Sequence, residues 1–166
     1  MSREANLLGA LAVAVCDELE AASLAAADLT ATQTAALNVL AHHPGCTIRE
    51  LSQVLELSHP GTVRLVDRLQ DEGLVERRSG VDARSVALHV TAAGRRVWNR
   101  QRHARDARLA EVVASLPRAS RADLRGAAEL LLAALTTDED RAESICRLCD
   151  ESQCPQDRCP VTLAVS

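Results

Sequence analysis

The sequence predicts a mainly helical protein that carries one short β-hairpin near its middle. Apolar residues make up 47% of the 166 residues, yet the chain has no Phe, no Tyr and a single Trp. A core built from Leu, Val and Ala favours packed helices. Apolar residues recur at helical spacing over most of the chain, and this spacing gives way to alternation only between residues 74 and 90.

Two helices are expected in the first quarter of the chain. Residues 3–27 are rich in Ala and Leu and contain no Pro, which predicts one long helix. Thr32 is the expected N-cap of the second helix, which Pro44 and Gly45 should end.

Two shorter helices are expected next. Thr47 can cap the third helix, and Glu50 lies three residues further on, as in a capping box. Ser58 can cap the fourth helix, in which Pro60 is tolerated because a first-turn N–H has no helical partner. Gly73 is the expected C-terminal glycine of this helix.

A β-hairpin follows the fourth helix. One strand begins at Leu74, the other contains the alternating residues of the segment 86–90, and residues 79–82 supply the turn between them. Two short helices followed by such a hairpin make a winged helix-turn-helix.

Three more helices are expected after the hairpin. Thr91 caps a helix that runs to about Leu116, where Pro117 breaks it. The next helix starts near Ser120, and a short last one, led by the acidic residues 138–140, should run into Cys146.

The charge distribution favours a polyanionic partner for the middle of the chain. Residues 60–108 contain eleven Arg and six acidic residues, a net charge of +5, whereas the remainder carries −9. A chance cluster on a solvated helix is the alternative explanation. A helix bearing Arg64 and Arg68 can enter the major groove, where arginine pairs with guanine, and the hairpin tip carrying Arg84 can reach the minor groove.

The stretches "LSHPGTVRLVDRLQDEGLVER" and "DARSVALHVTAAG" resemble the MarR (multiple antibiotic resistance regulator) family, with the strong resemblance covering residues 30–97. The resemblance implies a homodimer that binds an operator, with Arg84 in the minor groove and Asp82 orienting the wing. The expected DNA-binding residues are Ser58, His59, Thr62, Arg64, Arg68, Arg77, Asp82 and Arg84.

The predicted organisation has four parts. Residues 1–29 form an N-terminal dimerisation helix and residues 30–97 the DNA-binding domain. Residues 98–145 form C-terminal dimerisation helices, and residues 146–166 a cysteine-rich tail.

The tail contains four cysteines in the pattern C-x2-C-x4-C-x4-C, namely Cys146, Cys149, Cys154 and Cys159. No membrane span or signal peptide is evident, so we expect a cytoplasmic protein, in which thiols stay reduced. Thiolates are ligands for zinc and for iron–sulfur clusters. The sequence therefore predicts a metal site, with zinc ahead of a [4Fe–4S] cluster; reversible dithiol chemistry and free structural thiols are the alternatives.

The first two tail cysteines share one helix face if the last helix continues through Leu148. The other two cysteines of the chain are given structural roles, Cys16 as a small core residue and Cys46 in loop packing.

These features favour a dimeric DNA-binding transcriptional regulator, in particular a repressor, that responds to metal or redox state. No catalytic constellation such as Ser-His-Asp, a phosphate loop or HExxH is present, so no enzyme activity is expected. Two alternatives remain: a winged-helix interaction module without DNA binding, and a small iron–sulfur protein. A small-molecule effector is a further possible partner.

Overall fold

The computed structural model of the chain describes residues 2–80, 86–150, 154–155 and 157–166. Helices account for most of these residues, and the two strands form one small sheet, as the sequence predicts. The elements in chain order are α1 (Arg3–Ala26), α2 (Ala31–His42), α3 (Ile48–Val54), α4 (His59–Asp71), β1 (Val75–Ser79), β2 (Val86–Val90), α5 (Ala92–Ala114), α6 (Arg118–Leu135), α7 (Glu139–Cys146) and α8 (Pro160–Leu163).

The core lies in a lobe formed by α2, α3, α4 and the hairpin, which we call the winged-helix lobe (residues 30–97). Strands β1 and β2 are antiparallel, with Val75 opposite Val90 and Ser79 opposite Val86. Leucine and valine side chains fill the centre of the lobe, because no Phe or Tyr is present to do so. The fully buried ones are Leu37, Leu40, Leu51, Val66, Leu69, Val75 and Leu88.

Helix α2 begins two residues earlier than the sequence analysis expected. Thr30, and not Thr32, is its N-cap: the Thr30 hydroxyl accepts a hydrogen bond from the Gln33 N–H at 3.2 Å. The Gln33 side chain in turn accepts one from the Thr30 N–H at 2.9 Å. The prediction of Thr32 was wrong because a threonine three residues before a glutamine completes a capping box, and only Thr30 has that spacing.

The other predicted caps are confirmed. Thr47 and Glu50 form the expected capping box at the start of α3, with bonds of 3.2 and 2.7 Å. Ser58 and Thr91 cap α4 and α5. Gly73, at φ +69°, follows the end of α4 in the left-handed conformation that glycine adopts without steric cost.

Helix α5 is fixed to the hairpin by a close approach at Gly94. A Cβ atom placed there would lie 2.0 Å from the carbonyl oxygen of Leu74. The same carbonyl accepts a hydrogen bond from the Thr91 N–H at 3.0 Å, and the Thr91 hydroxyl donates to the carbonyl of Gly73 at 2.7 Å. The small residue after the wing therefore lets α5 start directly against the backbone that ends α4.

Helices α1 and α6 bury very little within one chain. Ser23 is the only buried residue of α1, and α6 has none. Cys16 is exposed on α1, so its assignment to the core of the chain was wrong.

Helix α5 ends at Ala114 and α6 starts at Arg118, close to the predicted break at Pro117. No helix among the described residues is both long and apolar enough to cross a membrane.

The chain ends in two short helices. Asp138 caps α7, as its acidic start predicts, and α7 ends at Cys146. The prediction that this helix runs into Cys146 is confirmed, but it does not continue through Leu148, because Arg147 closes the helix and the Cys149 N–H turns back to the carbonyl of Cys146 at 2.8 Å. Helix α8, which the sequence analysis did not predict, begins at Pro160 immediately after Cys159.

Candidate nucleic-acid interface and cysteine site

Helix α4 presents a polar face to solvent and an apolar face to the core. Val66 and Leu69 are fully buried on its inner side. Arg64 and Arg68 are exposed one helical turn apart, with a charge available to an anionic partner. The N-cap Ser58 and the first residue, His59, are also exposed, at the positive end of the helix dipole.

Thr62 does not belong to the exposed face of α4. Its side chain is fully buried, and its hydroxyl donates to the carbonyl of Ser58 at 3.2 Å. The prediction that Thr62 contacts DNA is therefore wrong for this arrangement. Hydroxyl groups of this size are common both at phosphate contacts and in helix interiors, where they bond the preceding turn, and sequence does not distinguish these cases.

Arg77 of β1 is engaged within the lobe. Its guanidinium donates to the carboxylate of Asp67 and to the side-chain oxygen of Gln70, both at 2.6 Å, and it is 28% exposed. These bonds tie the strand to the exposed side of α4. Arg77 consequently helps to hold α4 in position against β1.

Of the remaining predicted DNA-binding residues, Asp82 and Arg84 lie outside the described residues. The described part of the chain contains no ion pair to Arg64 or Arg68; Asp67, a candidate partner for both, pairs with Arg77 instead. The exposed guanidinium groups of α4 are thus not neutralised by described carboxylates.

All four tail cysteines line one cavity of about 990 Å³, between the C-terminal residues and the lobe. Cys146 and Cys149 are half-buried, Cys154 is exposed and Cys159 is buried at the start of α8. We call residues 146–159 the cysteine segment. Cys46, in the loop before α3, also lines this cavity.

The electrostatics indicate that the four sulfur atoms share one environment. The pKa of Cys146 is raised by a hydrogen bond with Cys149, by burial, and by the negative charge that the other three thiolates would carry. Burial, followed by the charges of Cys159 and Cys149, raises the pKa of Cys154. A divalent cation would offset this mutual repulsion.

Cys159 behaves differently from its neighbours. Burial acts to raise its pKa, but hydrogen bonds from the backbone N–H and hydroxyl of Thr162 and from the N–H of Val161 outweigh burial and lower it. This sulfur lies at the N-terminus of a helix, where backbone N–H groups favour a thiolate.

The donor set suits zinc or an iron–sulfur cluster, because four thiolates are the ligands of both. In the described part of the chain, however, no three cysteine, histidine or acidic side chains are already placed as ligands of one ion. The sulfur atoms would have to move closer together to bind one metal ion. The metal site and the metal identity predicted from the sequence stay predictions.

Polar side chains from two helices hold the backbone of the cysteine segment. The Asn38 amide of α2 donates to the carbonyls of Arg147 at 3.1 Å and Cys149 at 3.4 Å. From α5, Arg105 donates to the carbonyl of Leu148 at 3.0 Å.

A second set of contacts surrounds Trp98. Its indole N–H donates to the side-chain oxygen of Asn38 at 2.8 Å. The guanidinium of Arg102 lies 5.6 Å from the centre of the Trp98 ring and donates to the carboxylate of Asp150 at 2.6 Å. The sequence analysis missed these anchors, although the presence of a single aromatic ring in the chain was a usable signal.

Burial changes the character of Arg105. The residue is 8% exposed, and desolvation lowers its pKa. Burying a charged guanidinium costs free energy unless hydrogen bonds compensate for the lost contact with water. The bond from Arg105 to the Leu148 carbonyl supplies such compensation.

Comparison with known proteins supports the fold and the lobe. The MarR family model matches residues 27–85. An uncharacterized HTH-type transcriptional regulator of Mycobacterium bovis, Mb0904, is 35% identical over 103 residues, which are 61% of this chain and 72% of that protein.

Solved structures agree with this assignment. The Mycobacterium tuberculosis MarR family protein Rv2887 is 25% identical, with a TM-score of 0.65 over 78% of this chain and 94% of that one. It has also been solved in complex with p-aminosalicylic acid. MepR, a transcription regulator of a Staphylococcus aureus multidrug efflux pump, shares the fold at 19% identity, with a TM-score of 0.71 over 81% of this chain and 99% of that one.

The family match covers the exposed arginines of α4 and strand β1, and the remainder of the lobe adds strand β2 and the Gly94 contact that positions α5. The similarity of the chain to Mb0904 extends over most of that regulator's length. The chain belongs to the MarR family of winged-helix, DNA-binding transcriptional regulators.

Proposed function

We propose that the protein is a homodimeric repressor that binds a pseudo-palindromic operator, and that its four tail thiols bind a metal whose presence sets operator affinity. The exposed face of α4 carries the proposal, since Arg64 and Arg68 form no ion pair within the described part of the chain and are accessible to nucleic acid. In this proposal, Ser58 and His59 contact phosphate or base edges at the start of the helix. Asp82 and Arg84 of the wing keep the roles that the family resemblance implies.

The proposal of a dimer is supported by the apolar surface of the terminal helices. Large apolar side chains of α1 and α6 are solvent-exposed in a single chain, up to 75% for Leu130. Many large apolar side chains exposed on the same helices are typical of an interface. A second copy of the chain would cover these residues, namely Leu7, Leu8, Leu11, Val13, Leu24, Leu130, Leu131 and Leu135.

The proposed metal is zinc, with a [4Fe–4S] cluster as the alternative. When bound, either would offset part of the negative charge of the four thiolates and draw the four sulfur atoms together. Cys146, Cys149, Cys154 and Cys159 would be the ligands. Asn38 and Arg105 bond the backbone between the first two of these cysteines. A movement of this backbone on metal binding would therefore change the contacts that it makes with α2 and α5.

DNA binding is tested by fluorescence anisotropy with the DNA upstream of the protein's own gene. Arg64→Ala should weaken binding about tenfold or more, since a bidentate base contact is worth about 1–3 kcal/mol. The exposed Arg125 of α6 provides the control, because Arg125→Ala removes the same charge outside the helix-turn-helix. If the wild-type protein does not bind this DNA even at low salt, the result would support the alternative of an interaction module without DNA binding.

Metal binding is tested separately by native mass spectrometry and absorption of protein purified without oxygen. One zinc per chain in a colourless protein is expected, and a brown protein would identify the cluster instead. Cys149→Ser should lose the metal while the helical circular dichroism of the lobe is retained. A protein that binds operator DNA with no metal at any stage would refute the sensing part of the proposal.

A further inference from the structure

The turn between α3 and α4 ends α3 in a conformation that usually belongs to glycine. The Glu56 N–H bonds the carbonyl of Gln53 at 3.1 Å, and the Leu57 N–H bonds that of Ser52 at 3.0 Å, which is the Schellman pattern. Glu56 takes the left-handed position of this pattern, with a φ of +53°. A residue with a Cβ adopts that conformation at a steric cost that glycine avoids, which points to a role for the Glu56 carboxylate.

The carboxylate of Glu56 accepts a hydrogen bond from the guanidinium of Arg141 in α7, at 3.0 Å. Helix α7 packs against α3, and Ser144 on its inner side is fully buried. The family model ends at residue 85, so this contact comes from a part of the chain that the model does not include. The helix-turn-helix is therefore held by α7 as well as by its own core.

The residues that follow α7 are bonded to the long helix α5. The guanidinium of Arg102 donates to the Asp150 carboxylate at 2.6 Å, and these two side chains are 25% and 14% exposed. About one turn further along α5, Arg105 donates to the carbonyl of Leu148 at 3.0 Å. Helix α8 packs against both α7 and α6. We call α7 together with residues 147–150 the brace.

We infer that the brace fixes the orientation of the recognition helix α4 relative to the long helices, with Arg141 and Asp150 as positioning residues at its two ends. The part that this orientation plays in operator binding rests on the proposed function. Apolar packing in the lobe is non-directional, whereas the ionic hydrogen bonds at the two ends of the brace are directional. Because α1 and α6 carry the proposed dimer interface, a brace from α5 to the turn before α4 sets the spacing of the two recognition helices in the dimer.

The two ends of the brace act on different elements, and this separates a brace from two unrelated contacts. The side chains of the Glu56–Arg141 pair are 60% and 42% exposed, so the pair contributes little to overall stability. If the two ends act in series, opening either end frees the turn to the same extent, and opening both adds nothing further. Two independent contacts would instead have additive effects, and loss of the Asp150 contact would loosen only its own surroundings.

The experiment measures hydrogen exchange of the full-length protein by NMR, with Arg141→Ala and Asp150→Asn opening one end of the brace each. The Leu57 amide reports on the turn, and the buried residues 37–40 of α2 report on global unfolding. Each single variant should speed exchange at Leu57 about threefold or more, and the double variant should do so no more than either. The amides of residues 37–40 should exchange as in wild type.

Three outcomes would overturn the inference. The first is that Asp150→Asn leaves exchange at Leu57 unchanged, and the second is that the effects of the two substitutions add. The third is an equal rise at residues 37–40, because the substitutions would then act on overall stability.

Glu18→Gln is the matched control. It breaks an Arg–Glu pair outside the brace, between α5 and α1, in which Arg108 donates to Glu18 at 2.7 Å. The exposure of this pair, 38% and 48%, is similar to that of the Glu56–Arg141 pair. Exchange at Leu57 should be that of wild type in this variant. An effect as large as that of Asp150→Asn would show that the turn responds to any lost charge on the long helices, and would contradict the inference.

Operator binding provides a second readout, which a merely stabilising contact would not change. The operator is located by footprinting in the DNA upstream of the gene and is prepared with its natural spacing and with one base pair inserted between its half-sites. The insertion moves the half-sites apart by about 3.4 Å and rotates them by about 35°. Wild type should bind the longer operator about tenfold or more weakly, and Asp150→Asn only about threefold or less, because its recognition helices can adjust.

The two readouts separate failure of the inference from failure of the proposed function. If Asp150→Asn discriminates between the two spacings as sharply as wild type does, the brace does not set operator geometry and the inference is wrong, while the proposed function stands. If the exchange results are as expected but wild type binds no operator, the brace stands and the proposed function fails.

Discussion

The winged-helix lobe and the cysteine segment are held in place by different forces. In the lobe, α2 buries eight consecutive residues from Gln33 to Leu40, and leucine and valine side chains from four other elements pack against it. The cysteine segment is held mainly through its backbone carbonyls, which accept hydrogen bonds from Asn38 and Arg105. Apolar packing is non-directional and supplies most of the folding free energy, whereas hydrogen bonds are directional and contribute little net stability.

This difference indicates a division of labour. The lobe has its own core of buried apolar side chains. Among the described residues of the cysteine segment only Cys159 is buried, so the conformation of this segment can respond to a ligand. Substitutions in the lobe should therefore change global stability, and substitutions at the anchors should change the tail first.

The largest effect is expected from Gly94→Ala in the lobe. Its Cβ would lie 2.0 Å from the Leu74 carbonyl oxygen and 2.8 Å from the Val90 side chain, so the helix or the hairpin must move. We expect a loss of about 3 kcal/mol or more in urea unfolding, at the upper end for overpacking. Gly126→Ala in α6, where no atom lies within 4 Å, should instead be neutral or stabilising. Equal effects of the two substitutions would contradict the close approach at Gly94.

A smaller effect, of about 2 kcal/mol, is expected from Asn38→Ala at the boundary between the two regions. The substitution leaves the Trp98 indole N–H without its acceptor and removes the donor to two carbonyls. The fluorescence of Trp98 should change in the folded protein, because the tail loses its anchor beside the ring. The half-buried neighbour Asn99, changed to Ala, is the control and should leave the emission spectrum unchanged.

Cys46 should make stability depend on alkaline pH by less than about 2 kcal/mol. Burial, and then the charge of Glu50, raises the pKa of this thiol to about 11 in the folded protein from an ordinary value of 9.0. The folded state therefore holds this proton more tightly than the unfolded state does. The contribution of Cys46 to the free energy of unfolding is fully present below pH 9 and is lost between pH 9 and 11. The measurement is the difference in unfolding free energy between wild type and Cys46→Ala across this range. A difference that stays constant with pH would show that Cys46 is not buried in this way.

The smallest effect is expected at the start of α2. Thr30→Ala should cost about 1 kcal/mol, because it removes the capping hydroxyl that accepts from Gln33. Thr32→Ala, at an exposed position inside the helix, should be neutral or slightly stabilising, since alanine has the higher helix propensity. Thermal denaturation of the two variants decides between the two threonines, and a larger loss for Thr32→Ala would restore the assignment made from sequence.

Local signals predicted the winged-helix lobe well. The capping residues Thr47, Ser58 and Thr91 and the glycine at 73 act within a few residues of their own position, so their spacing is legible in the sequence. Thr62 was misassigned because helix periodicity places several residues near the boundary between the buried and exposed faces. Thr62 lies on the buried side of that boundary, where its hydroxyl donates to the carbonyl of Ser58.

The candidate sites divide in the same way. The exposed Arg64 and Arg68 and the four tail cysteines were found from residue type and spacing. The anchors Asn38 and Arg105 were not, because each contacts the cysteine segment from more than 40 positions away in the chain, and Trp98 was missed because it acts through Asn38.

By itself, the sequence determined the helical class, the helix-turn-helix with its hairpin, the family resemblance and the presence of four thiols near the C-terminus. These depend on periodicity, capping and spacing, which operate over one or two turns of chain. Only the tertiary structure decided that the thiols face the lobe across one cavity, that Arg77 braces α4, and that Arg141 of α7 pairs with Glu56. Such contacts join distant segments, and they form only where packing brings those segments together.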